Sequence, residues 1–425
     1  MRGPSAMFGA AVTVLVVLAL GPASATARPS PGAGGARRAL DLRLSNGMRA
    51  AGTSSGAYVL DLTTGRQLYA ANAHVGRPPA SVQKLYTTST VLLKFGSAAT
   101  LSTRVLAVGK LKGSTFVGTL YLRGGGDPTF GSAGFVRTSY GAGATVQRLV
   151  GRLVKSVGLR GFRGRVVGDE SMLDSRRGTP ATGYGPSIDV EGELSALAFN
   201  RGWADPFGAV YFRHPALEAA DQFVAALKAA GVHVPGTTPI RAGITPSAAL
   251  PLAAVRSPQM AKLVALTNAP SDNFFAETLA KDLGARFGAG GTTAAGVGVV
   301  AATISRRFGL HPRFDDGSGL SRYDRTSPFD VVSLLHSQSA NRPFTASLAV
   351  AGRTGTLRHE MRGSYAQGRC RGKTGTLSDA SNLVGYCRAR DGHTLAFAFL
   401  MNRINPYYAH PIQNRMVVAV ARYNG

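Results

Sequence analysis

Ser81 and Lys84 stand three positions apart at the head of a helical run, and two later stretches, Ser271-Asp272-Asn273 and Lys373-Thr374-Gly375-Thr376, carry residues that such a pair needs around it. If the three act together, the chain must return twice to one place. Pro79 and Ser81 suit a helix start, and the run continues to Phe95 before Gly96 stops it. On such a helix Ser81 and Lys84 lie one turn apart on one face, so the amine is within reach of the hydroxyl. A serine hydroxyl is a weak nucleophile at neutral pH, and a lysine kept neutral by burial or a nearby cation can take its proton. The Ser81 amide would point into the helix-start region, where partial positive charge favours a developing oxyanion. Only Lys84 among the lysines has a serine three residues before it. A further Ser-x-Asn, Ser339-Ala340-Asn341, closes a helix-like run ahead of Arg342-Pro343 and reads as a loop.

The ordered set Ser-x-x-Lys, Ser-Asp-Asn, Lys-Thr-Gly belongs to class A β-lactamases and penicillin-binding proteins. Further strings narrow it: Gly124-Gly125-Gly126-Asp127-Pro128-Thr129, Ser271-Asp272-Asn273-Phe274-Phe275-Ala276-Glu277 and Asp316-Gly317-Ser318-Gly319-Leu320-Ser321-Arg322. On these residues, and over nearly the whole chain after its leader, the sequence resembles the peptidase family S13 penicillin-binding proteins, the class C D-alanyl-D-alanine carboxypeptidase/endopeptidase group. The resemblance implies an α+β fold of the serine penicillin-binding-protein/β-lactamase type, an antiparallel sheet covered by helices, with a large inserted α/β domain.

The residues themselves support that division. Residues 85–270 are far more chain than a crossover between neighbouring elements requires, so an inserted domain is the economical explanation. The peptidase domain is then expected over 41–100 and 251–425 and the insert over 101–250. Within the insert, Val146, Leu149, Val150, Leu153 and Val154 recur at helical spacing and read as core. A third, nested domain is not expected, because Ala198 to Pro215 is a brief connection. Met1 to Ala27 reads as an export signal, with Arg2, an apolar run from Met7 to Leu20 and small residues at the exit. Residues 28–40, rich in Pro, Gly and Arg, read as a flexible mature terminus. The chain is expected outside the cytoplasm, periplasmic or extracellular and associated with the wall. A formal net charge of +26 allows association with anionic wall polymers, yet no block of like charges and no nucleic-acid motif is present. The scattered histidines have no metal-ligand spacing, so neither metal nor cofactor is implied.

For the site, the resemblance implies that Ser81 attacks the D-Ala-D-Ala carbonyl with Lys84 as its base. Ser271 relays a proton to the leaving amine and Asn273 holds the substrate backbone. Lys373 holds positive potential over the pocket, and Thr374 and Thr376, either side of Gly375, hold the terminal carboxylate. The amides of Ser81 and Thr376 form the oxyanion hole. Peptidoglycan stem peptides are the implied substrates and β-lactams the covalent inhibitors. Members of the family read a diaminopimelate side chain with an acid from the insert and an arginine, for which Asp169 and Arg322 are the candidates here. The alternatives are a β-lactamase and a non-catalytic wall-binding protein. The first lacks the glutamate that class A enzymes carry beyond Ser-Asp-Asn, since none occurs between Glu277 and Glu360. The second is opposed by the intact motif residues. Finally, a turn centred on Ser378-Asp379 sets Cys370 opposite Cys387, the only two cysteines, and in an exported chain predicts a disulfide.

Overall fold

The computed structural model describes Met1, Gly3 and residues 33–425. Most of the expected export signal and residues 28–32 lie outside the described residues. Residues 33–40, expected to be flexible, open helix α1 (Ala33–Ala51) instead. The reason is pattern rather than composition: Leu40, Leu44, Met48 and Ala51 recur at helical spacing and are buried, while Arg37 and Arg38 stay exposed.

The next residues form the expected hairpin of β1 (Gly56–Asp61) and β2 (Gln67–Ala71), whose turn is closed by Asp61 Oδ1 accepting the Thr63 amide at 2.9 Å. The helix α2 (Lys84–Phe95), which begins at Lys84 just after Ser81, follows and is stopped by Gly96 at φ 81°. The insert then supplies β3 (Ser102–Lys112), β4 (Thr115–Arg123), α3 (Ala133–Tyr140), α4 (Val146–Val157), β5 (Gly161–Asp169), α5 (Pro215–Ala229), β6 (Ile240–Ala242) and β7 (Leu250–Arg256). Among the described residues its strands form one sheet in the order β6-β5-β4-β3-β7, with β4, β5 and β6 parallel and the other pairs antiparallel. Val146, Leu149, Val150 and Leu153 of α4 are buried with Ala219, Phe223 and Leu227 of α5 in a core of its own. Because β7 is hydrogen-bonded to β3, the return to the first domain comes after Arg256 and not at 251 as expected.

The chain comes back through α6 (Met260–Asn268), α7 (Asn273–Phe287), α8 (Thr293–Phe308), α9 (Pro328–Gln338) and the short α10 (Arg342–Ala346). Asn341, in the Ser-x-Asn expected to be a loop, caps α10. The strands β8 (Ala349–Val350), β9 (Cys370–Leu377), β10 (Ala380–Arg388) and β11 (Thr394–Asn402) and helix α11 (Pro406–Ala421) complete it. The first sheet has the order β2-β1-β11-β10-β9-β8, antiparallel throughout. β11 explains why this sheet needs cover on both faces. Ala396, Ala398 and Leu400 enter the core shared with α2 and α6–α9, while Leu395, Phe397, Phe399 and Met401 enter the core under α1 and α11.

Cys370 and Cys387 are directly paired across β9 and β10, with Cα atoms 4.1 Å apart, and form a disulfide. It ties off the hairpin that carries Lys373 at a sequence separation of 17. Replacing both cysteines by serine is expected to cost about 3 kcal/mol of folding free energy. A urea unfolding midpoint unchanged in the double variant would refute that role.

Candidate active site

Ser81 sits in a single 3-10 turn, Ala80–Gln83, that runs directly into α2. In 3-10 geometry residues three apart eclipse, which brings Lys84 under Ser81 more directly than an α-helix would. Lys84 is fully buried, and its Nζ is 2.8 Å from Ser81 Oγ and 2.9 Å from the Ser318 carbonyl, and bonds also to Asn273 Oδ1. As an ammonium it donates to all three. As a neutral amine it keeps two N–H groups for Asn273 and Ser318 and turns its lone pair to the Ser81 hydroxyl. Burial pushes Lys84 down to about 8, partly opposed by the carboxylates of Glu191, Asp316, Glu277 and Asp272.

The second motif arrives on α7. Asp272 is the cap, accepting the Phe275 amide at 2.9 Å and pairing with the buried Arg201. Ser271, just outside the helix, has φ 72°, a left-handed backbone that a serine adopts only under constraint. Its hydroxyl accepts a 2.7 Å bond from Lys373 Nζ, which also reaches the Thr374 carbonyl at 2.8 Å. Burial and the neighbouring Lys84 push Lys373 well below the ordinary lysine range. The third motif, on β9, lies flush against the turn that carries Ser81. A Cβ added at Gly375 would stand 2.5 Å from the Pro79 carbonyl and 3.2 Å from the Ser81 nitrogen, so only glycine lets the strand approach this closely. Thr374 Oγ1 meets Thr356 Oγ1 at 2.9 Å, and Thr374 and Thr376 line a cavity of about 170 Å³ with Thr356, His410 and Asn414.

The structure thus brings Ser81, Lys84 and Asn273 together through one lysine and Ser271 to Lys373 through the other, with Gly375 packed against the Ser81 turn. It does not bring Asp169 there. That carboxylate, 1% exposed, accepts the amides of Ser171 and Thr245 at 3.0 and 2.8 Å and lies 3.7 Å from Arg123, leaving no face for a substrate ammonium. Arg322 is half-exposed and bonds to Asp379 and Ser378, both at 2.6 Å, at the turn ending β9.

Several contributors were not among the expected site residues. The loop 316–321 wraps its amides around two buried carboxylates: Asp316 accepts from Gly319 and Ser321, and Glu277 Oε1 from Gly317 and Ser318. This aims the Ser318 carbonyl at Lys84. Burial and the adjacent Asp316 push Glu277 up to about 8. Glu277 had a signal, standing four positions after Asn273 on one helix face. Asp189 and Glu191 of the insert had none. The Asp189 carbonyl accepts Asn273 Nδ2 at 2.6 Å, and Glu191 Oε2 accepts the Asn273 amide at 2.7 Å.

Compared with known proteins, the chain matches the model of the D-Ala-D-Ala carboxypeptidase 3 (S13) family over residues 36–186 and 187–423. It is 30% identical over 367 residues to carboxypeptidase DacB of Mycolicibacterium smegmatis, covering 82% of this chain and 76% of that protein. With a D-alanyl-D-alanine carboxypeptidase of Actinomadura it shares 27% identity over 88% of this chain and 82% of the other. Its fold is that of penicillin binding protein 4 from Haemophilus influenzae, with a TM-score of 0.73 at 18% identity, covering 89% of this chain and 99% of that one. A penicillin G acylated predatory endopeptidase from Bdellovibrio bacteriovorus aligns with a TM-score of 0.55 at 18% identity, over 87% and 92% of the two chains.

Proposed function

Since the chain belongs to the D-Ala-D-Ala carboxypeptidase 3 (S13) family, we propose that it removes the terminal D-Ala of peptidoglycan stem peptides through an acyl-enzyme on Ser81. The observation that carries this reading is the fully buried Lys84 amine, 2.8 Å from Ser81 Oγ and held by two further acceptors. Ser81 Oγ attacks the carbonyl of the D-Ala-D-Ala bond as its proton passes to Lys84. The oxyanion forms against the amides of Ser81 and Thr376, donors worth about 3 kcal/mol each in other enzymes. Ser271, in contact with Lys373, delivers a proton to the leaving nitrogen and regains one from the Lys84 ammonium, which returns Lys84 to its neutral form as D-Ala departs. Water then attacks the ester, its proton returning to Ser81, and releases the shortened peptide. The same steps on a cross-link between two stems make the protein a D,D-endopeptidase. Thr374 and Thr376 serve the terminal carboxylate, and Arg322, bonded to the turn after β9, is the candidate for the carboxylate of a diaminopimelate side chain.

A β-lactam places a strained amide where the D-Ala-D-Ala bond lies, so penicillin acylates the same hydroxyl. The disulfide suits an oxidising compartment, and among the described residues no helix is long and apolar enough to cross a membrane. We therefore place the enzyme outside the cytoplasm, held near anionic wall polymers by its charge. Incubation with purified stem pentapeptides and cross-linked dimers, with products identified by mass, tests the reading: loss of one D-Ala is expected. A wild-type protein that leaves both substrates intact, or that turns over penicillin as fast as peptide, contradicts it.

The pH dependence follows from Lys84. Its neutral form is the base, so the acylation rate is expected to rise with pH and level off above about 8. Below that the rate falls about tenfold per unit as the neutral fraction falls. A penicillin acylation rate that is flat from pH 6 to pH 9 would remove Lys84 from the base role.

A further inference from the structure

Beside the motif residues stands a carboxylate from the inserted domain that no motif announces. The segment 187–192 folds back on itself through a bridge between Ser187 and Gly192. Two aromatic donors pin it: the Tyr211 hydroxyl bonds the Ser187 carbonyl at 3.0 Å, and Trp203 Nε1 bonds the Glu191 carbonyl at 3.2 Å. At the second pin Glu191 is held at φ 63°, a conformation that costs a non-glycine residue about 1 kcal/mol and persists where its surroundings over-determine it. The product of that strain is a side chain aimed at α7. Glu191 Oε2 takes the Asn273 amide at 2.7 Å, one of the donors a helix start leaves unpaired, while the neighbouring Asp189 carbonyl takes Asn273 Nδ2 at 2.6 Å. Asn273 is therefore gripped by this strap at both its backbone and its side chain. Its remaining side-chain atom, Oδ1, accepts from Lys84.

We propose that Glu191 is a positioning residue of the acylation step, fixing Asn273 against Lys84 and supplying the negative charge that the Lys84 amine faces. This deepens the reading of Ser81 and Lys84 as nucleophile and base, and rests on it. The other acids around Lys84 are already engaged: Asp316 and Glu277 by the amides of the 316–321 loop, Asp272 by Arg201. Glu191 opposes the effect of burial on Lys84 more than any of these, and it acts in the same direction on Lys373. Glu191 itself faces Asp272, Arg201 and Lys84, and burial together with Asp272 raises it above the ordinary glutamate range. The positive partners that keep it useful as an anion are thus Arg201 and the two site lysines.

The test separates charge from geometry in the full chain. Glu191→Gln keeps an oxygen for the Asn273 amide and removes the charge. A protonated Lys84 is then less favoured, so the acidic limb of the penicillin acylation profile should move to lower pH by about one unit. Glu191→Ala removes both contributions, and should lower the high-pH plateau by about tenfold as well, through misplacement of Asn273 and Lys84. Thermal midpoints of both variants, and intact-mass confirmation that the adduct is on Ser81, accompany the profiles. An acidic limb that stays in place in Glu191→Gln overturns the charge role, and a wild-type plateau in Glu191→Ala overturns the positioning role. A wild type that penicillin does not acylate at all would overturn the nucleophile assignment and this inference with it, whereas an acylated wild type with unmoved variants overturns this inference alone.

Discussion

Ser81→Ala is expected to take up no penicillin, while the wild type gains the mass of one drug molecule within a brief exposure. Peptide turnover should fall by a factor on the order of 10⁶, as removal of the attacking hydroxyl does in another serine enzyme. The fold should survive, because the only side-chain bond lost is the one Ser81 Oγ accepts from Lys84. The experiment has a built-in rival. Ser271 and Lys373 form a second hydroxyl–amine pair at 2.7 Å, with an amine as buried as Lys84. Two features favour Ser81: its amide lies at the start of a helix with β9 packed against it, and its amine is held by two further acceptors. A covalent adduct that persists in Ser81→Ala and maps to Ser271 would reverse the assignment.

What could be read from the chain and what could not divide along a physical line. The candidate cluster was legible because each part is a short string whose local structure is fixed by its own residues: a helix start at Ser81, a capped helix start at Asp272, a hydroxyl-rich strand at Lys373. The hairpin register was legible for a similar reason, since a two-residue turn at Ser378-Asp379 sets every opposed pair behind it, including the two cysteines. Paired periodicity served α4 well and would have served α1, where Leu40, Leu44 and Met48 outweigh the Pro, Gly and Arg that suggested flexibility.

The contributors that escaped act through backbone atoms or through left-handed turns. Nothing in Ser318 marks its carbonyl as a partner of Lys84. Nothing in the sequence around Glu191 shows that φ 63° will swing its side chain onto α7. Asp169 lies outside the cluster for a related reason. It ends β5 beside Arg123 of the parallel neighbour β4, and the local Ser171 amide and the Thr245 amide of the returning chain each take one of its oxygens. The insert does send acids to the site, but from the irregular segment at 189–191, where no periodicity could point to them. The boundary at 251 failed more simply: β7 runs on to Arg256 because β3 beside it is long enough to pair with it.

Gly319→Ala should be the most damaging single methyl group that can be added near the site. Gly319 has φ +87°, and a Cβ there would stand 1.9 Å from the Ala80 carbonyl oxygen and 2.9 Å from Gln83 Cβ. Both partners belong to the turn that carries Ser81, and the carbonyl is backbone with no flexible end to yield. The residue before it is Ser318, whose carbonyl holds Lys84, and its own amide is held at 2.6 Å by the buried Asp316. The loop must therefore either retreat from the nucleophile turn, taking the Ser318 carbonyl off Lys84, or push Ala80 and Ser81 out of place. Strained backbone and overpacking together should cost about 3 kcal/mol or more in urea unfolding. The fraction that remains folded should acylate about a hundredfold more slowly, because the displacement falls on the reacting pair. Gly298 in α8 provides the comparison, since a Cβ there meets nothing within 4 Å and the backbone is helical. Gly298→Ala should stabilise the protein by about 0.5–1 kcal/mol and leave acylation unchanged. If Gly319→Ala instead unfolds at the wild-type midpoint and acylates at the wild-type rate, the 316–321 loop is not what holds Lys84 beneath Ser81.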